Sequence, residues 1–409
     1  GGSGMKIRAI THFSPLQWPF DMNALSDTGR FLQAAKTRLE EEGYTVQTLR
    51  LATPPFMDLL GDPNPDTLVE FAVTLEQHAR QHGIEYISIG PVMAATPRAL
   101  LSPIRVIPDI LAQTEAIFTA VLAASAETGI NLEALRATAE AIHRIAGSTP
   151  DGFGNLRFAM LANVPPRGPF FPGSYHDRGS PAFSIATEAA DLAVDALRNA
   201  ASLEEARANL LTALADHAAR LHSAIDFLVD EHSIYFAGID FSPAPFPEAG
   251  KSIAEAMEHL GLDAFGGHGT LFATAFLTRC IRQADFPKAG YCGVMLPVLE
   301  DHLLAQRAAE GRFTVNDLLL YSAVCGTGLD TIPLPGDSTP AQMAGLLLDV
   351  ATLAVTLNNP LTARLLPVPG LHAGDPTPFD FAYFANSTVL PLKDVAAAAL
   401  MEKESFFAL

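Results

Sequence analysis

A thiol, a set of acids and a histidine, all beside glycines or at expected strand ends, are the side chains here best suited to chemistry. Cys325-Gly326-Thr327-Gly328-Leu329-Asp330 offers a nucleophile with a carboxylate close behind it. Glycines at 326 and 328 let the backbone turn tightly and present N–H groups, which can hold an oxyanion or lower a thiol pKa. The competing reading is a small buried cysteine that ends a core strand. Cys280, on an expected helix, and Cys292, in an expected strand, read as core residues. Phe265-Gly266-Gly267-His268-Gly269-Thr270 leads directly into an apolar helical run, with Thr270 as a cap. A glycine approach to a helix start suits an anion. His268 could serve there as acid, base or ligand, or as a structural hydrogen bonder. Asp240, followed by Ser242, together with Glu300, Asp301, Asp330 and Asp337, would suit a hard cation such as Mg2+ or Ca2+. Their order follows no EF-hand spacing, and no H-E-x-x-H or paired C-x-x-C suggests zinc. The same acids also suit helix starts, where they would act as caps.

These residues need elements to place them. Residues 5–10 alternate as a strand, 26–42 repeat apolar residues at helical spacing with Gly43 as a stop, and 44–51 form a second strand. That order is the grammar of an α/β sheet. The pattern predicts a helix over 65–82, a strand over 85–89, mostly helical Ala-rich segments over 108–146 and a strand over 156–162. Residues 165–173 hold too many prolines and glycines for regular structure and read as a stiff surface loop pinned by Phe170 and Phe171. Residues 184–230 favour long helices. Strands are expected over 234–241, 291–298 and 318–324, and helices over 252–260, 270–283 and 301–309. Ligands gather beyond the carboxyl ends of parallel strands, so the loops after these strands draw attention. No linker divides the chain, which predicts one large α/β unit.

Composition excludes several classes. The 409 residues are 49% hydrophobic and only 17% charged, enough to bury a large core and too apolar for bulk disorder. Gly1-Gly2-Ser3-Gly4 ahead of Met5 reads as a vector-derived leader. With 26 Lys and Arg against 45 Asp and Glu, the net charge of −19 would repel nucleic acid and anionic lipid. The most apolar stretch, 346–357, contains Asp349 and falls short of the roughly 20 residues that a span needs. Lys6 and Arg8 alternate with single apolar residues, which predicts no secretory leader. Three cysteines suit a reducing compartment. The expectation is a cytoplasmic protein.

Several collinear segments carry a resemblance that covers nearly the whole chain. Gly238-Ile239-Asp240-Phe241-Ser242, the Phe265 to Thr270 segment, Met295-Leu296-Pro297-Val298-Leu299-Glu300-Asp301, Val324-Cys325-Gly326-Thr327-Gly328-Leu329-Asp330 and Arg364-Leu365-Leu366-Pro367-Val368-Pro369-Gly370 resemble those of the DUF711 (UPF0210) family. The opening of the chain and residues 46–52 agree. The resemblance implies a large α/β barrel similar to the pyruvate formate-lyase-like fold, with loops running into its middle and, here, an outer layer of Ala-rich helices. Glycyl radical enzymes of that fold carry a C-terminal loop similar to Arg-Val-x-Gly-Tyr. Residues 364–370 depart from it, and only a loop cysteine is left as an analogy.

The reading that follows is an enzyme acting on a small carboxylate- or carbonyl-containing metabolite. Cys325 would be nucleophile or proton donor, activated by the N–H groups around Gly326 and Gly328. Asp330 or His268 would be its proton partner, and Arg364 would neutralise a substrate carboxylate. Thr270 and Ser242 would add substrate contacts. The alternatives are a divalent ion, Mg2+ or Ca2+, held by Asp240, Glu300, Asp330 and Asp337, and a non-catalytic metabolite sensor. The partners expected are a small molecule and a second copy of the chain.

Overall fold

The computed structural model describes residues 4–409; of the expected leader only Gly4 is included, and residues 1–3 lie outside the described residues. The strands, in chain order, are β1 (Lys6–Phe13), β2 (Val46–Ala52), β3 (Tyr86–Met93), β4 (Ile117–Ser125), β5 (Gly129–Asn131), β6 (Phe158–Ala162), β7 (Ala182–Glu188), β8 (Tyr235–Asp240), β9 (Gly328–Pro335), β10 (Leu361–Val368) and β11 (Phe406–Phe407). They form one eleven-stranded sheet in the order β8-β7-β1-β2-β3-β4-β6-β10-β9, with β5 and β11 attached beside β4. β1, β2, β3, β4 and β6 run parallel. β7 and β10 flank this set antiparallel to it, and β8 and β9 follow their directions.

The sheet is not closed by continuous pairing. Its edges, β8 and β9, are approached by one irregular segment, residues 288–297, through isolated parallel bridges at Ile239 with Lys288 and at Pro297 with Asp330. A strand was expected over 291–298; prolines at 287 and 297 and the positive-φ residues Gly290 and Cys292 leave no regular ladder there.

Helices cover one face. Met22–Glu41 starts at Asp21, whose carboxylate accepts from the Asn23 N–H, and buries Leu25, Phe31, Leu32, Ala35 and Leu39 at helical spacing. Pro65–Gln81 starts at Asn64, which accepts from the Thr67 N–H. Leu132–Ser148 and Pro340–Leu357 pack on β4 and on each other. By length and composition Pro340–Leu357 could span a membrane, but Met343, Leu347, Val350, Ala351 and Ala354 are buried in the protein. Alternation along β2 shows the two faces: Leu49 and Leu51 enter the main apolar core, while Thr48 and Arg50 face an interior cavity.

Three expectations need correction. Residues 318–324 are not a strand: Val315–Tyr321 is a helix, started by a capping box between Thr314 and Asp317. A short apolar run fits either element, and here the local cap decides. Residues 108–146 are not all helical, because Ile117–Ser125 is a central strand paired with β3 and β6. β7 likewise begins before an Ala-rich stretch expected to be helix. Pairing inside the sheet outweighs the helical preference of alanine.

Candidate functional site

A cavity of about 100 Å3 lies against the sheet and draws its lining from β1, β2, β3, β4, β9 and β10, from residues 170–172 and from the bridging segment around Tyr291 and Met295. On β1 to β4 the lining residues Arg8, Thr48, Tyr86 and Phe118 fall in the amino-terminal halves of the strands, and Arg50 lies one residue past the middle of β2. The carboxyl-end expectation therefore fails for this set. With oppositely directed strands on both flanks, no single end of the sheet collects all the carboxyl termini.

Two irregularities in strand pairing aim the charged groups. In β1, Ile7 pairs with Thr187 and Ala9 with Ala186, so Arg8 is an extra residue on its strand. In β9, Leu329 pairs with Ala363 and Ile332 with Leu365, so Asp330 and Thr331 together oppose Arg364, with Thr331 at φ 45°. Bulges of this kind bend a strand and redirect a side chain.

Three arginines line the cavity, and their partners differ. Arg364 donates from Nε to Asp330 Oδ1 at 2.7 Å, from Nη2 to Glu300 Oε1 at 2.6 Å and from Nη1 to the Leu156 carbonyl at 3.2 Å. Burial works against its charge, but Asp330 and Glu300 outweigh that and hold its pKa above the ordinary value. Arg8 lies 3.5 Å from Glu188 and donates to the Pro245 carbonyl. Arg50 has no carboxylate within 4.0 Å among the described residues. Its Nε donates to Thr48 Oγ1 at 2.8 Å, and its guanidinium lies 5.4 Å from the Tyr86 ring centre and 5.1 Å from that of Phe171. Its terminal nitrogens donate to no described protein atom. Burial, with Arg8 nearby, pushes the Arg50 pKa down to about 10, so it stays charged at neutral pH. Glu300 Oε2 accepts no hydrogen bond from the described residues, and burial raises the Glu300 carboxyl above its usual range while Arg364 opposes the shift.

The expected site residues do not converge. Asp330 and Arg364 line the cavity together, but they satisfy each other. Each Arg364 nitrogen already donates to a protein acceptor and its charge is balanced by two carboxylates, and Asp330 pairs with Arg364 rather than with Cys325. Cys325 is fully buried in the main apolar core, lines neither the cavity nor the surface basin described below, and burial raises its thiol pKa. Its sulfur accepts the Gly328 N–H at 3.2 Å, and the Asn359 side chain donates to its carbonyl. Gly326 and Gly328 serve packing. A Cβ at Gly326 would run into the Gly293 backbone, and Gly328, at φ 93°, lies against the Thr362 backbone.

His268 is exposed on its turn, away from the cavity lining. The cap of the helix Thr270–Gln283 is Gly269 rather than Thr270, whose hydroxyl instead donates to the Gly267 carbonyl at 2.8 Å. Asp240 accepts from the Ser242 N–H and hydroxyl and from the Tyr291 and Cys292 N–H groups, so it organises a turn. Ser242 in turn accepts from Gly293 N–H at 3.1 Å. Asp301 caps two helices by accepting from Ile253, Ser252 and Leu304. Asp337 lies at the surface, 3.7 Å from His372. Asp240, Glu300 and Asp337 thus stand in different surroundings, and no group of three or more His, Cys, Asp or Glu suited to a metal occurs among the described residues.

Residues 165–173 are a surface loop only at their start, where Pro165, Pro166 and Arg167 reach the surface. Phe170, Phe171 and Pro172 form cavity wall, fixed where Thr11 donates to the Pro169 carbonyl at 3.0 Å and Ser88 to the Ser174 carbonyl at 2.6 Å. Arg8, Arg50, Tyr86 and Tyr383 are also lining residues that the motif reading passed over. The signal for the arginines was a cation between apolar neighbours in an expected strand, where burial needs a partner or a task.

Comparison with known proteins places these features in a family. The family described as "Uncharacterised ACR (DUF711)" matches residues 2–382. A UPF0210 protein of Pyrobaculum arsenaticum is 34% identical over 362 residues, covering 85% of this chain and 79% of that protein. One from Pyrobaculum islandicum is 33% identical and covers 81% and 76%. A Neisseria meningitidis serogroup C relative is 29% identical, covering 91% and 85%. The names of these relatives specify a family and no activity.

Proposed function

The chain belongs to the DUF711 family, and from that premise we propose that its interior cavity binds a small carboxylate-bearing metabolite and carries out acid–base chemistry on it. The observation that carries this reading is Arg50: a buried guanidinium held between two aromatic rings, fixed at Nε, and left without a carboxylate partner. Such a group, with its fork already oriented, is an anion receptor that loses little freedom on binding. Glu300 supplies the proton-transfer group. Arg364 orients it through Oε1, Oε2 stays unengaged, and burial raises its pKa toward the range useful for proton transfer. The thiol of Cys325 has no part in this scheme. Aromatic rings from Tyr86, Phe171 and Tyr383 would cover the apolar part of the ligand, and the cavity volume favours a metabolite of a few carbons.

The architecture that we favour remains a barrel of the pyruvate formate-lyase kind. Its support is a cavity walled by six strands and the segment 288–297, which reaches both sheet edges.

The test is Arg50→Gln, titrated calorimetrically with a panel of small mono- and dicarboxylates. Binding should weaken by about tenfold or more, the loss expected for a charge-assisted hydrogen bond. A variant that binds the panel as tightly as the native protein would remove the proposal.

A further inference from the structure

Beside the interior cavity a second concavity of about 470 Å3 opens at the surface, and Tyr291 lines both. Its charged lining is entirely basic, from Arg167, Arg282 and Lys288, with no carboxylate among its lining residues. That is unexpected in a chain with 45 acidic residues against 26 basic ones.

Arg167 is matched by Asp177 at 2.7 Å, but the other two cations are held by neutral acceptors. Arg282 donates to Asn359 Oδ1 at 2.8 Å, and Lys288 donates to the Ala284 carbonyl and lies 4.4 Å from the Phe286 ring centre. Their positions are set while their charges stay uncompensated. The adjoining wall is rigid, because buried Asp240 accepts the N–H groups of Tyr291 and Cys292.

We propose that this basin is a second binding site, for a small oxyanion of phosphate or carboxylate type, recognised by the Arg282 fork and the Lys288 ammonium. Two uncompensated cations favour a doubly charged anion over a singly charged one. The site is separate from the Arg50 receptor and does not depend on the reading of the cavity.

Calorimetric titration of the full chain at low salt with inorganic phosphate, and in parallel with succinate, tests it. In Arg50→Gln, where the interior receptor is removed, at least one of the two should still bind saturably, and adding Arg282→Gln/Lys288→Gln should weaken that binding about tenfold or more. Whichever anion binds more tightly tells phosphate from carboxylate. Both side chains are exposed, so the thermal midpoint should hold, and Lys288→Gln alone should shift affinity in the same direction. The proposal fails if neither anion binds Arg50→Gln, if adding the double substitution to that variant leaves binding unchanged, or if equimolar chloride displaces the anion. It also fails if only Arg50→Gln loses binding, which would assign the anion to the interior cavity.

Discussion

The turn around Cys325 and the cavity around Arg50 are both buried and both border β9 and β10, but their polar groups differ in what they have left to bind. At the turn, Gly326 donates to the Val294 carbonyl, Gly328 to the Cys325 sulfur and Asn359 to the Cys325 carbonyl. The thiol and its glycines have nothing left to bind; the Thr327 hydroxyl, which has no partner among the described residues, belongs to the cavity lining instead. In the cavity, Arg50 keeps its terminal nitrogens free and Glu300 keeps Oε2 free, although all three nitrogens of Arg364 beside them donate to protein acceptors. A buried polar group left unpaired by the fold costs stability, so a site that keeps one is a site prepared for something else.

Substitutions can break or sharpen this contrast. The largest effect is expected at Arg364→Met, which strands Glu300 and Asp330 without their shared cation. Urea unfolding should show a loss of about 3–5 kcal/mol. A loss below about 1 kcal/mol would mean that the carboxylates are well solvated and the cavity wet.

Glu300→Gln tests the proton role apart from binding. Calorimetry should find the cavity ligand still bound, while turnover of that ligand falls by about a hundredfold or more. Unchanged turnover would leave Glu300 only a positioning contact for Arg364.

On the other side of the contrast, Gly326→Ala forces the two backbones at 293 and 326 apart and should cost about 1–3 kcal/mol, with ligand affinity in the cavity preserved. A matching loss of affinity would join the two regions into one functional unit.

The smallest effect is expected at Cys325→Ala. It should lower stability by about 1 kcal/mol and change neither binding nor turnover. Burial disfavours the thiolate, so iodoacetamide should leave Cys325 unmodified in the folded protein and label it only after unfolding, as read by mass spectrometry. Rapid native labelling with loss of turnover would restore the thiol as a reactive group.

Much of the fold was legible where pattern and cap agree. The helices at Met22–Glu41, Pro65–Gln81 and Thr270–Gln283 and the strands β1, β2 and β8 carry clear periodicity, and the structure has them within a few residues of expectation. Legibility failed at Ile117–Ser125, where alanines that favour helix alone are held by strands on both sides, and at Val315–Tyr321, where a capping box settled an ambiguous apolar run. For the site, Asp330, Glu300 and Arg364 were found, but with roles reassigned by their mutual contacts. Arg8 and Arg50 were missed because a cation between apolar neighbours in a strand fits a side chain that faces water as well as one that faces a cavity.

The sequence by itself determined the class of the protein: an apolar, acidic chain in which strands and amphipathic helices alternate, within a family whose motifs span nearly all of it. Periodicity, capping and composition are local properties and can be read along a line. Only the tertiary structure decided that Cys325 is sealed, that Arg364 is spent on two carboxylates and that Arg50 is left free. Whether a buried charge has a partner depends on strands far apart in the chain, and on bulges that shift a side chain by a single residue of register.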